Sequence, residues 1–253
     1  MIELRDAGKR YGDAWVVRHV DLAVERGELV AVLGESGSGK TTLLKMINRL
    51  VGADEGAVTI DGRDVGKEDP VALRRTIGYV IQHVGLLPHL TVAENVAMVP
   101  RLLGWPDDQT RTRVDELLDM VELPAAKYRD RYPDQLSGGQ RQRIGVARAL
   151  AAKPNILLLD EPFGALDPLT RVALQDELRR IHRELQLTSI IVTHDMVEAM
   201  VLADRIAVML NGELRQLATP AELVARPADD YVARLVAMAK RQSEQLAAFG
   251  AAP

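Results

Sequence analysis

A short apolar run, Leu29-Val30-Ala31-Val32-Leu33, passes directly into Gly34-Glu35-Ser36-Gly37-Ser38-Gly39-Lys40-Thr41. A second apolar run at helical spacing, Thr42 to Leu50, follows without an internal breaker. A strand, a glycine-rich turn and a helix in that order form a phosphate-binding loop. The glycines let successive backbone N–H groups converge on oxygen atoms, and the new helix adds its own unpaired N–H groups and the positive end of its dipole. Lys40 is placed to reach β- and γ-phosphates, and the Thr41 hydroxyl to ligate Mg²⁺. Glu35, Ser36, Ser38 and Thr42 complete the cradle. A glycine-rich turn before an ordinary helix is the plainer reading of these letters, and the flanking pattern speaks against it.

At 253 residues the chain can bury one sizeable core, or a core with a smaller lobe attached. Its net charge of -4 gives no long-range attraction to nucleic acid or anionic lipid. With no cysteine, disulfides, thiol nucleophiles and cysteine metal sites are all excluded. The five histidines lack a metal spacing. The charged N-terminus has no apolar core of the export type, and no apolar run approaches bilayer length. These features predict a cytoplasmic polypeptide that only another subunit could hold at a membrane.

Short strand-like runs near Ile2 to Leu4, Val16 to Val24, Leu29 to Leu33 and Val58 to Ile60 open the chain, and Asp61-Gly62 reads as a turn. Beyond a strand at Ile77 to Ile81 the texture becomes helical from Thr91 to Leu123, with Val114, Leu117, Leu118 and Val121 on one stripe. Gly104-Trp105-Pro106 breaks that region and Pro124 closes it. A helix from about Gly139 to Ala151 is followed by a strand at Ile156 to Leu159 and a helix from about Thr170 to Glu184. Strands at Ser189 to Val192 and Ile206 to Met209 come next. This alternation predicts a mainly parallel sheet covered by helices, interrupted by an inserted helical lobe. Thr219-Pro220-Ala221-Glu222 has the form of a capping box, and a last amphipathic helix is expected from Asp229 to Leu246 before a weak tail.

Ile156-Leu157-Leu158-Leu159-Asp160-Glu161 ends an apolar strand in two carboxylates, and strand ends in a parallel sheet face the ligand crevice. Asp160 suits Mg²⁺ as a hard oxygen ligand, and Glu161 suits the polarising of a water near a γ-phosphate. Alone, the pair would read as a solvated acidic turn; with the phosphate loop upstream it reads as catalytic. Leu136-Ser137-Gly138-Gly139-Gln140 offers a second anion-binding helix start, with Ser137 as cap and two glycines leaving N–H groups uncovered. Two phosphate-directed helix ends with one lysine-bearing loop suggest a site shared between two copies. His194 and Gln82 each end a strand; the first can hydrogen-bond a γ-phosphate oxygen, the second can touch Mg²⁺ or the attacking water. Either, taken alone, is equally a structural residue. Tyr11 can stack on a purine, or pack against a sheet edge.

Taken together, these residues resemble the nucleotide-binding subunit of ATP-binding-cassette transporters. GESGSGKT is similar to the Walker A loop, LSGGQ to the family signature, and ILLLDE to the Walker B strand with its catalytic glutamate. Gln82 stands in the Q-loop position, Gly164-Ala165-Leu166-Asp167 in the D-loop, and His194 in the switch position; Tyr11 matches the adenine-stacking aromatic. The resemblance implies a P-loop NTPase α/β core with an antiparallel β subdomain and a helical subdomain over about 85–151. Residues 1–225 would form the ATP-binding domain and 226–253 a helical extension and tail. It further implies ATP and Mg²⁺, catalysis by Lys40, Gln82, Glu161 and His194, metal ligation by Thr41, Gln82 and Asp160, and a homodimer closed by ATP. Integral-membrane permease subunits, and indirectly a substrate-binding protein, would be the partners.

The stretch Ala97 to Trp105 following Gln82 to Val96, together with Arg129-Asp130-Arg131-Tyr132-Pro133 and Phe163 to Arg171, looks like the osmoprotectant branch taking up glycine betaine, choline or carnitine. Importers of methionine, polar amino acids or sulfonates share much of it, and a soluble switch ATPase is the alternative of a different class. The regulatory cystathionine-β-synthase-like pair of some relatives is not expected within this length. Because such a subunit never touches its cargo, Trp15 and Trp105 are not expected to form a cation–π box.

Overall fold

The computed structural model describes residues 1–82 and 84–250; His83, within the stretch quoted after Gln82, and the tail end at 251–253 lie outside the described residues. In chain order the elements are β1 (Ile2–Tyr11), β2 (Ala14–Val24), β3 (Leu29–Leu33), α1 (Lys40–Ile47), β4 (Glu55–Ile60), β5 (Arg63–Asp64), α2 (Pro70–Arg75) and β6 (Ile77–Val80). There follow α3 (Val92–Leu102), α4 (Asp107–Met120), α5 (Ala125–Tyr128), α6 (Gly138–Leu150), β7 (Ile156–Asp160), α7 (Pro168–Glu184) and β8 (Thr188–Thr193). The chain finishes with α8 (Met196–Leu202), β9 (Arg205–Leu210), β10 (Glu213–Ala218), α9 (Pro220–Ala225) and α10 (Asp230–Gly250).

Two sheets result. The larger has the order β10-β9-β3-β8-β7-β6, parallel except for β10, and the smaller is antiparallel with the order β2-β1-β4-β5. Strands β3, β7 and β8 are buried along their whole length, as a parallel sheet covered on both faces requires. Alternate residues of these strands enter different cores. Leu29, Ala31, Leu33, Leu157, Leu159 and Ile191 face the helices, including the lobe built from α3, α4 and α6. Val30, Val32, Leu158, Ile190 and Val192 face α1 and the antiparallel sheet. The strand period of two thus welds both subdomains to one central sheet.

The helical lobe follows its sequence signals closely. Val114, Leu117, Leu118 and Val121 are all buried, and a capping box on Thr91 and Glu94 starts α3. The capping boxes on Ser137 and Thr219 are present too. Strand β1 runs further than its apolar letters indicate, because it pairs with both β2 and β4, and this carries Tyr11 to a strand end. Neither α8 nor β10 is anticipated by the periodicity. Tyr231, Val232, Val236 and Ala239 of α10 join the helix-side core, so the first half of α10 is docked on the rest of the chain.

Candidate active site

The loop after β3 turns under steric control. Gly39 caps α1 with φ +98, and a Cβ there would strike the Val16 carbonyl. Lys40 is almost fully buried, with Nζ donating to the carbonyls of Gly34 and Glu35 at 2.8 Å each. Burial lowers its pKa, opposed by the carboxylates of Glu161, Asp160 and Glu35. The Ser38 hydroxyl is buried and has no hydrogen-bond partner among the described residues. An orphaned hydroxyl in the loop that opens α1 fits an anionic oxygen acceptor.

Parallel pairing of β7 with β8, and of β8 with β3, brings the other candidates to the same edge of the sheet. Thr41 Oγ1 donates to Asp160 Oδ1 at 2.9 Å, so the two oxygens expected to hold Mg²⁺ already touch. Burial raises the Asp160 carboxyl pKa, the Thr41 hydrogen bond opposes that, and the neighbouring Glu161 charge reinforces it. A buried carboxylate with a hydroxyl, both hard oxygen donors, fits a small divalent cation. Glu161 adopts the left-handed region at φ 45, its N–H held by the Val192 carbonyl at 3.0 Å. For a residue with a Cβ this conformation costs of order 1 kcal/mol, and it turns the carboxylate out of the sheet. There Gln82 Nε2 donates to Glu161 Oε2 at 3.1 Å, and His194 Nδ1 lies 3.5 Å from the same oxygen. Three of the expected chemical residues, Gln82, His194 and Thr41, therefore converge on the Glu161 carboxylate and its neighbour Asp160.

The second helix start is built as its letters indicate. Ser137 Oγ accepts from the Gln140 N–H, and the Gln140 side chain accepts from the Ser137 N–H. Gly138 opens onto empty space, whereas a Cβ on Gly139 would strike Thr170 of α7. Among the described residues no hydrogen bond links Ser137, Gly138, Gly139 or Gln140 to the phosphate loop. Tyr11 stands half-exposed at the end of β1, opposite Ala14.

Two contributors escape motif reasoning. The Asn211-Gly212 turn between β9 and β10 has positive φ at both residues, and the Gly212 N–H donates to the Ser38 carbonyl at 3.2 Å. An Asn-Gly pair between apolar runs is a hairpin signal that the sequence does carry. Tyr79 of β6 lies beside Asp160; burial first, then the Asp160 charge, raises the pKa of its phenol. No local pattern marks that contact, because it is made across the sheet.

A family profile described as "ABC transporter" matches residues 17–164. A glycine betaine/carnitine/choline transport ATP-binding protein of Bacillus subtilis (strain 168) is 49% identical over 93% of this chain and 62% of its own length. A sulfate/thiosulfate import ATP-binding protein of Mycobacterium bovis is 48% identical over 91% of this chain and 65% of its own. The chain spans about six-tenths of the length of the first curated relatives it matches. Among solved structures, the dimeric post-hydrolysis state of an ATP-binding cassette bound to ADP and Pi superposes with a TM-score of 0.78. It is 35% identical, with 87% of this chain and 99% of that one covered.

Proposed function

Since this chain belongs to the ABC transporter family and is an ATPase of that family, we propose that it drives a membrane importer of a quaternary ammonium osmoprotectant such as glycine betaine, choline or carnitine. The observation that carries the chemical part is the convergence of Gln82 and His194 on the Glu161 carboxylate, beside the Thr41–Asp160 pair. Residues Gly34 to Thr42 hold the triphosphate, with Tyr11 stacked on the base. Thr41, Asp160 and Gln82 would hold Mg²⁺, which would supply positive charge to offset that of the phosphates. Glu161 orients the attacking water and accepts its proton; the Gln82 amide and the His194 ring fix that carboxylate and the γ-phosphate. Lys40 offsets the charge that grows on the phosphoryl oxygens in the transition state.

Ser137, Gly138, Gly139 and Gln140 act on the nucleotide held by a second copy, a reading supported by the dimeric solved cassette that this chain resembles. ATP then bridges two copies, and loss of the γ-phosphate releases them. The division into a cassette over 1–225, a helical subdomain over about 85–151 and an extension over 226–253 belongs to this reading, with the subdomain relaying closure to permease subunits. Among the described residues no helix is long and apolar enough to cross a membrane. Attachment to the cytoplasmic face therefore falls to the permease. The osmoprotectant cargo is supported by the betaine, choline and carnitine relatives; the sulfate relative, at nearly equal identity, favours a different small solute as the second reading.

Glu161→Gln should keep ATP binding, lower steady-state hydrolysis at least a hundredfold and accumulate a closed dimer in size-exclusion chromatography with ATP. Normal turnover by that variant would sink the catalytic assignment. Purification with the native membrane partners settles the cargo: a binding protein retaining a quaternary ammonium ligand supports the osmoprotectant reading, and one retaining an oxyanion refutes it.

A further inference from the structure

Lys9 and Tyr11 alternate along β1 onto the same face, and Lys9 pairs across the sheet with Val17. Val17 lies against Gly39, within van der Waals reach of where its Cβ would stand, so this face borders the phosphate loop. Lys9 Nζ sits 5.7 Å from the centre of the Tyr11 ring, within cation–π range. It is held there. Asp54, just before β4, binds Lys9 Nζ through Oδ1 at 2.8 Å and the Arg10 N–H through Oδ2 at 2.9 Å. The Asp54 N–H itself donates to the Gly8 carbonyl at 2.8 Å. One aspartate thus grips three consecutive residues leading to the ring. The Lys9 side chain is 16% exposed and that of Asp54 32%, so the pair sits at the edge of the sheet with its lysine largely covered. The other aromatic of the hairpin, Trp15, pairs with Arg10 and packs against Gly8, on the opposite face.

We infer that Asp54 and Lys9 are positioning residues for the nucleobase: Asp54 fixes the end of β1, and the Lys9 ammonium, set against the Tyr11 ring, orients it as a platform for an electron-rich purine. This rests on the Tyr11 assignment above. The ammonium draws π-density from the ring, which favours stacking with a purine and disfavours the electron-poorer uracil. An ordered ring also loses less rotamer freedom on binding than a free one. The device is directed at the base, because neither Lys9 nor Asp54 is among the residues proposed above to hold the phosphates.

The test compares ATP with inorganic tripolyphosphate, which engages the loop and lacks a base, by calorimetric titration of the full chain. Asp54→Asn and, separately, Lys9→Met should each raise the Kd for ATP about three- to tenfold and leave that for tripolyphosphate unchanged. In hydrolysis they should raise KM for ATP and leave kcat unchanged. Equal loss for both ligands in both variants would show a loosened hairpin and overturn the inference, as would unchanged ATP affinity. Tyr11→Ala distinguishes the two levels. If it lowers ATP affinity selectively while Asp54→Asn and Lys9→Met do not, the inference fails and the platform stands. If Tyr11→Ala leaves the ratio of the two affinities unchanged, the platform fails and the inference falls with it.

Discussion

Replacing Arg143 with methionine should destabilise this chain by an amount that grows with pH. Arg143 lies on α6 in the helical lobe, and its Nη1 sits 2.5 Å from Glu177 Oε2 on α7. The same guanidinium donates to the Val121 carbonyl at 2.8 Å and reaches Glu122 at 3.0 Å. Glu177 is 5% exposed, and neither of its oxygens closes a hydrogen bond among the described residues. Burial therefore prevails over Arg143: the Glu177 carboxyl is pushed up from 4.5 to about 7, with Glu122 adding to the rise and Arg180 opposing it. The folded protein binds a proton here that the unfolded chain has lost, so stability contributed below pH 4.5 is lost as pH climbs, and the loss levels off above about 7. At about 1.4 kcal/mol per unit, the full loss is roughly 3 kcal/mol. Without Arg143 the carboxyl must fold protonated, and the loss continues past pH 7. The variant's deficit should be about 1 kcal/mol at pH 6, from the lost carbonyl hydrogen bond, and about 3 to 4 kcal/mol at pH 9. Urea unfolding at pH 6, 7, 8 and 9 measures it, and Arg143→Met with Glu177→Gln should abolish the slope. A deficit of equal size at pH 6 and 9, or a slope surviving in the double variant, would refute the reasoning.

Glu198 of α8 is likewise pushed up to about 7, by burial first, with a long hydrogen bond from Gln175 at 3.4 Å. Glu198→Gln should leave stability nearly unchanged at pH 4.5 and raise it by up to about 3 kcal/mol at pH 8, read from urea midpoints. Gly39→Ala places a Cβ against the Val16 carbonyl in a left-handed conformation. Binding of a fluorescent ATP analogue should weaken at least tenfold, and wild-type affinity in that variant would contradict the proposed loop geometry.

What could be read from the letters was local. The phosphate loop, the acidic pair after β7 and the capped start of α6 each declare themselves within a few residues, because their chemistry is made by neighbours in sequence. The buried strands were legible too, since a central parallel strand must be apolar along its length. Helix α8 was hidden by its shortness, although Asp195 caps it through the N–H groups of Val197 and Glu198. Strand β10 was hidden by its mixed polarity on a sheet edge, although Asn211-Gly212 announced the turn before it. The contacts that arrange the site were not legible in any one stretch; the grouping of Thr41, Gln82, Asp160 and Glu161 came through the family resemblance, and the Lys9–Asp54 pair did not come at all. Lys9 meets Asp54 across 45 residues, Gln82 meets Glu161 across 79 and Thr41 meets Asp160 across 119. Such pairs depend on strand order, and no single stretch of sequence encodes strand order.

The Asn211-Gly212 turn has a consequence for kinetics as well as shape. It fastens to Ser38 on one side and, through the Gly212 carbonyl, to the Arg18 N–H on the other. Through this turn the phosphate loop is tied by backbone hydrogen bonds to both sheets. A loop restrained in this way has less freedom to lose on binding, so nucleotide association should be governed more by encounter than by ordering. Differences among nucleotides would then show in how long they stay, and residence would respond to a turn lying more than 170 positions from the loop it restrains.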